Sequence, residues 1–370
     1  MKTLLLALLL FVAGYSTKIA SGSYTVGTTG ADYSSWQICA DSVAATLTGN
    51  LTLTQIDTTL DTAHASFGSN LAGYTLTIQS NKSSKGCVDS GWIAKYTGAT
   101  NYKGFLNITA SSTVAGAKVV VKNMNIKIAS TSVAQNWVAG IHSAVNDADV
   151  VTIVNDCIVN QNVNSKKVFC YVFGTGVSAT KIQMYNCVGL QGGVSTGTQY
   201  DGRGVWLGTT DTSSRIENCT FYGFSATSGV GFYNYSNSKI TVKNVASFNC
   251  TYADYAYGPG ASKGQGAMLS ERCASSDTTG NVGFKSLSAM VQFVDTATNS
   301  VNLFKVRRGA VLDTGGVAPA LAANTTGIRG NTRPNNLGLY SIGADNVSDT
   351  ALVTYGCVIV TGKQIGRAHV

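Results

Sequence analysis

Charge is scarce in this chain: Asp, Glu, Lys and Arg together make up 12% of its 370 residues. Proline and histidine are rarer still, with three of each. The histidines are scattered, and none of the nine cysteines falls in a Cys-x-x-Cys pair, which argues against a zinc site. No nucleophile elbow, phosphate-binding loop or metalloprotease helix motif is present. The formal charge of +8 is spread without a Lys/Arg run. Removing Lys2, Lys18 and Arg367, for reasons given below, leaves 8 − 3 = +5, so nucleic acid is not an expected partner. Helical periodicity is absent, but an apolar fraction of 44% excludes a disordered chain. What remains is a turn-rich, all-β composition dominated by Gly, Ser, Thr and Asn.

One short phrase recurs through the middle of the chain. It reads Val121-Lys-Asn123-Met-Asn-Ile126, Ile153-Val-Asn155-Asp-Cys-Ile158, Met184-Tyr-Asn186-Cys-Val-Gly189, Ile216-Glu-Asn218-Cys-Thr-Phe221 and Val242-Lys-Asn244-Val-Ala-Ser247. The asparagines step by 32, 31, 32 and 26 residues, a period that marks a repeat architecture. A second apolar run follows each of the middle phrases, as in Ala139-Gly-Ile141, Val168–Phe173, Gly204–Leu207 and Gly229–Phe232. Short alternating strands separated by turn residues suit a coil that winds once per repeat and stacks its strands in parallel. Asn suits the bend, because it tolerates left-handed backbone and bonds to neighbouring peptides. The expected fold is therefore an all-β, right-handed parallel β-helix, with a β-sandwich as the competing reading. Cys187 and Cys219 hold the same place in adjacent repeats, either as a disulfide or as rungs of a buried thiol ladder; the ladder fits parallel side chains better.

The ends have their own signatures. Met1-Lys2 and the apolar run Leu4–Val12 resemble a signal peptide, with small residues for cleavage after Gly14 or Gly22. No other segment is long enough to span a bilayer. Ser34-Ser35 before Trp36-Gln-Ile-Cys-Ala reads as a capped helix, which would cover the first coil. Ile365-Gly-Arg-Ala-His-Val370 matches an in-frame translation of a common sequencing adapter, so His369 is no catalytic candidate and the natural terminus is expected to differ. The expected divisions are residues 1–22 (signal), 23–100 (cap and irregular coils), 101–258 (regular coils), 259–364 (closing coils) and 365–370 (adapter).

Two segments carry a family resemblance. Thr25-Val-Gly-Thr-Thr-Gly-Ala-Asp-Tyr-Ser-Ser-Trp36 resembles the opening of secreted and phage-borne pectate-lyase-like β-helix proteins. Phe293-Val-Asp295, Asp313-Thr-Gly315, Gly330-Asn-Thr-Arg333-Pro334 and Ile342-Gly-Ala-Asp345 resemble the closing segment of choice-of-anchor-Q β-helix proteins, with Ser341 replacing the usual Asp. The resemblance implies the fold strongly and the activity weakly, since such proteins include anchored surface proteins, virion proteins and a few lyases.

Catalysis on such a scaffold needs carboxylates converging from successive coils. Asp156 and Glu217 sit beside the repeated Asn, but the coil between them offers no acid. Asp201 and Arg203, with Lys167 one coil earlier, form the nearest approach to a catalytic set. Alternation offers another kind of site. If Ile141, Val172, Val205 and Phe232 point inward, then His142, Phe173 or Tyr171, Trp206 and Tyr233 point outward, and Tyr255 and Tyr257 extend the line. Such a ladder is either a platform for sugar rings, with Asp201 beside it, or packing under loops. The expected function is a non-catalytic, secreted or particle-surface protein with a structural or glycan-adhesion role, needing no cofactor or metal. Its expected partner is a polysaccharide or cell-surface glycan, and a virion-borne form would be a homotrimer. The alternative is a polysaccharide lyase or glycoside hydrolase, including a phage tail-spike depolymerase.

Overall fold

The computed structural model describes residues 18–82, 93–97, 103–129, 138–161, 167–191, 201–297, 303–321, 325–334 and 338–345. The expected leader core and the adapter-like tail lie outside these residues. Within them the chain winds as a right-handed parallel β-solenoid with three sheets. The first sheet has nine strands, from Gly22–Val26 to Leu269–Glu271. The second has eight, from Thr59–Asp61 to Ala274–Ser275. The third starts at Ala65–Phe67, reaches Ala253–Tyr257 and ends on the antiparallel strand Ser262–Lys263.

One coil shows the logic. Strand Ala117–Lys122 of the first sheet meets Asn123, whose φ of +55° turns the chain sharply into strand Asn125–Ile128 of the second. Strand Val138–Ser143 of the third sheet follows, and Val150–Asn155 begins the next coil. The left-handed residue repeats as Asn123, Asp156, Asn186, Asn218, Asn244 and Arg272, with φ between 50 and 56°. Asn and Asp reach this region at lower cost than other side chains. The repeated-Asn alignment slips at one rung: Asn155 ends a strand, paired with Lys122 and Tyr185, and Asp156 occupies the bend. An Asn-Asp dipeptide offers two bend-forming residues, and the phrase alone cannot choose between them.

Interior side chains stack by register. Leu53, Ile78, Val121, Val154, Met184, Ile216 and Val242 form one buried line in the first sheet. In the third sheet the line is Leu106, Ile141, Tyr171, Val205, Phe232 and Tyr255, all fully buried. Tyr171 crosses the interior and donates its hydroxyl to the carbonyls of Cys157 and Val188, at 3.0 and 2.9 Å. Two glycines are dictated by crowding at the corner between second and third sheets. A Cβ on Gly204 would lie 2.6 Å from the Phe221 ring, and one on Gly231 1.8 Å from Ser247 Oγ. Cys157, Cys187 and Cys219 are free and buried one residue past the bends. Each points its thiol at the carbonyl two residues back, at 3.2 Å, so these residues are rungs of a thiol ladder. Burial pushes the Cys187 thiol well above its ordinary pKa, which keeps it protonated and unreactive.

Helix α1, Trp36–Ser42, packs against the first strands of the second and third sheets. Ser35 caps it by accepting from the Ile38 N–H, and the buried Trp36 indole donates to Gln55. Ile19 is buried and bonds through its backbone to Ser42 and Ala44. Leader cleavage after Gly22 would therefore remove a core residue, whereas cleavage after Gly14 would not.

At the other end the chain folds back along the outside. The described residues between 284 and 344 bury Phe293, Phe304, Leu312, Ile328 and Ile342 against the outward side chains Val188, Leu190, Ala246 and Phe248 of the second sheet. Residues at or next to the bends hold this strap. Asn244 exchanges two hydrogen bonds with the Val317 backbone, Asn186 donates to the Thr326 carbonyl, and Glu217 accepts from the N–H groups of Ala320 and Leu321.

Candidate functional site

The outer face of the third sheet carries the residues singled out from the sequence. Register places Ser66, Asn107, His142, Val172, Trp206, Tyr233 and Ala256 in one outward row. A second outward row, nearer the strand starts, contains Ala139, Phe169, Arg203 and Val230. Phe173 belongs to neither. It aligns with Ser143 and Leu207, points inward and is fully buried, as are Tyr171 and Tyr255. The expected ladder is thus corrected at two rungs: Val172 takes the outward place assigned to Phe173, and Ala256 takes the one expected for Tyr255.

The row is more covered than a bare platform. His142, Val172 and Tyr233 are buried, while Trp206 is partly exposed. His142 Nδ1 pairs with Asn107 Oδ1 at 2.8 Å, and the Asn107 amide donates to Ser66, extending a polar chain along the row. Burial lowers the His142 pKa to about 4, so the ring is neutral at pH 7. Phe169, Ala139 and Val172 form an apolar cluster against Trp206 on its other flank.

Around Trp206 the surface becomes aromatic in a way the ladder did not anticipate. Its indole stacks on Tyr235, with centroids 4.9 Å apart and planes at 28°. Tyr233 meets Tyr235 edge-on at 6.0 Å and donates its hydroxyl to the Gly258 carbonyl at 2.7 Å. The buried Arg203 guanidinium lies 4.2 Å from the Tyr233 ring centroid, and Lys263 lies 4.8 Å from that of Tyr252. Tyr235 and Tyr252 are partly exposed. Together with Trp206 they form a compact, cation-flanked aromatic surface near the C-terminal end of the sheet. Tyr235 lies on the turn just after strand Val230–Asn234, so alternation along the strand did not single it out.

Of the candidate catalytic set, Asp201 pairs in register with Lys167, and Arg203 with Phe169. Lys167 is exposed and Arg203 buried. Buried carboxylates elsewhere are engaged by backbone or side-chain amides. Asp254, pushed up to about 6 by burial, accepts from the Ser276 and Asp277 N–H groups and the Ser276 hydroxyl at 2.6–3.1 Å. Asp277 in turn accepts from the Asp254 and Thr279 N–H groups. Asp156 is held by the amides of Asn155 and Asn186. Among the described residues, no three His, Cys, Asp or Glu side chains converge as a metal site. Comparison with protein-family models, curated proteins and solved structures finds no match.

Proposed function

We propose that the outer face of the third sheet binds carbohydrate, and that the protein acts as a secreted, cell-surface or particle-surface adhesion or structural protein without turnover. The observation behind this is the partly exposed Trp206–Tyr235 stack, braced by Tyr233 and flanked by Arg203 and Lys263. Flat aromatic groups on a rigid sheet suit the apolar faces of sugar rings and lose little conformational freedom on binding. A lyase or hydrolase needs a proton-transfer group free to meet substrate. Arg203 is instead buried against Tyr233, and the carboxylates Asp254, Asp277 and Glu217 are engaged by peptide N–H groups.

Trp206→Ala is expected to weaken binding to an immobilised glycan by about 1–3 kcal/mol, as for a central aromatic anchor. The thermal midpoint should change little, because Trp206 lies outside the solenoid interior. Titration of both proteins against the best-binding polysaccharide decides it. Unchanged affinity in the variant would remove Trp206 from the site.

A further inference from the structure

The opposite side of the solenoid poses a separate question. The strap covers the second sheet where its outward row reads Leu190, Tyr222 and Phe248. Upstream the same row reads Leu60, Lys95, Lys127 and Asn160, and none of these four is fully buried. Across the Asn123 bend, the outer face of the first sheet adds Lys122 beside the bend and Lys118 at the start of the same strand, Lys181 at the start of the strand two further on and Arg215 on the next. All six cations are partly or fully exposed. Among the described residues none forms a salt bridge, although Lys122 attracts the nearby Asp156 carboxylate; the ion pairs there are Lys243–Glu271 and Arg329–Asp345.

Lys95 and Lys127 are direct neighbours in register. Like charges placed opposite each other on adjacent strands, about 4.8 Å apart, destabilise a sheet. The stack is therefore a standing cost that a bound polyanion relieves. Lys118 and Lys181 lie two strand spacings apart, about 10 Å, and Lys118 and Lys122 about 13 Å apart along the strand. Beside them stand the uncharged hydrogen-bonding groups Thr75, Thr77, Gln79, Asn125 and Gln183, and directly between them the apolar Val120, Val151 and Ile153, all partly exposed.

From this arrangement we infer that the adjoining outer faces of the first and second sheets, with Lys118, Lys122 and Lys181 on one and Lys95 and Lys127 on the other, bind an acidic polysaccharide, separately from the aromatic face. Spaced cations among hydroxyl and amide groups match a sugar chain that has one acid every one or two rings. Nucleic acid, with a phosphate on every nucleotide, calls for denser cations and for exposed rings on which bases stack.

The experiment uses heparin and hyaluronate as polyanions, dextran as the neutral control and a DNA oligonucleotide as competitor. The variants are Lys118→Gln/Lys122→Gln/Lys181→Gln and, separately, Trp206→Ala. The triple variant is expected to bind the acidic glycans at least tenfold more weakly at low salt. Its salt slope should fall by roughly one for each lysine in contact. Trp206→Ala should keep the wild-type slope, so failure of the aromatic site and failure of this one are distinguishable. An unchanged melting temperature shows that the triple variant is folded, because these side chains face outward. Equal retention of triple variant and wild type, no retention of either, or preference for the oligonucleotide would each overturn the assignment.

Discussion

Arg333→Met is expected to release the C-terminal strap while the solenoid stays wound. Arg333 is buried and donates to the carbonyls of Ser341, Gly343, Ala344 and Asp345 at 2.9–3.1 Å, with a longer contact to Thr326 at 3.4 Å. Burial lowers its pKa to about 10, so it remains charged at neutral pH. Methionine fills similar volume but strands these carbonyls away from water. Breaking a buried, charge-assisted cluster from one side costs about 3–5 kcal/mol. The strap has its own apolar cluster, separate from the interior that holds Val121, Val154 and Phe221. Hydrogen exchange should therefore accelerate at the Ile328, Gly343 and Ala344 amides, which bond to Ala344, Asn244 and Thr220 respectively. First-sheet amides should keep their protection. Equal protection of the strap in both proteins would show that Arg333 does not hold it.

Phe221→Ala should lower global stability by about 3–5 kcal/mol, the range for removing a buried aromatic residue. Phe221 is fully buried between Tyr171 and Phe232, with ring centroids at 6.5 and 6.0 Å, and fills the space left by the missing side chain of Gly204. The void would be shared by three coils, because a ring in one coil touches those above and below. Denaturant titration should shift the midpoint with little change in slope. The double variant Gly204→Ala/Phe221→Ala should not recover the loss, since a Cβ at 204 would still lie 2.4 Å from the Gly231 carbonyl oxygen and 2.9 Å from the Cβ of residue 221. A cost below about 1 kcal/mol for Phe221→Ala would mean that the corner collapses freely and is not close-packed.

The period was legible because the bend has a chemical requirement: each coil must supply one left-handed residue, and Asn or Asp supplies it at Asn123, Asp156, Asn186, Asn218 and Asn244. The inward stack of the first sheet was legible for a similar reason, since one face of every strand must be apolar. The third sheet was read one residue out at Val168–Phe173. Tyr171 looks like a surface residue by its hydroxyl, but carbonyls on the far wall accept that hydroxyl inside the solenoid. Periodicity cannot show such a partner, so Val172 was taken as the core residue. The strap was invisible for another reason: nothing local in Glu217 or Asn244 says that a segment some 70–100 residues later will bond to it. Asp313 and Ser341, singled out in the sequence, do lie within the strap's hydrogen-bond network. Asp313 accepts from the Gly309 N–H, and the Ser341 hydroxyl donates to the Asp313 carbonyl. At the aromatic face, Trp206 and Tyr233 were found by alternation, but their partners Tyr235 and Tyr252 lie on the turns that follow and precede strands.

The most direct test of the binding function follows bound and cleaved glycan in the same samples. Purified protein is incubated with neutral and acidic polysaccharides, while affinity, unsaturated-product absorbance and reducing ends are recorded together. The expected result is saturable binding that Trp206→Ala weakens, with no product above the protein-free control. Product that accumulates with wild type and disappears with Asp201→Asn or Arg203→Ala would contradict it and make the third-sheet face an active site.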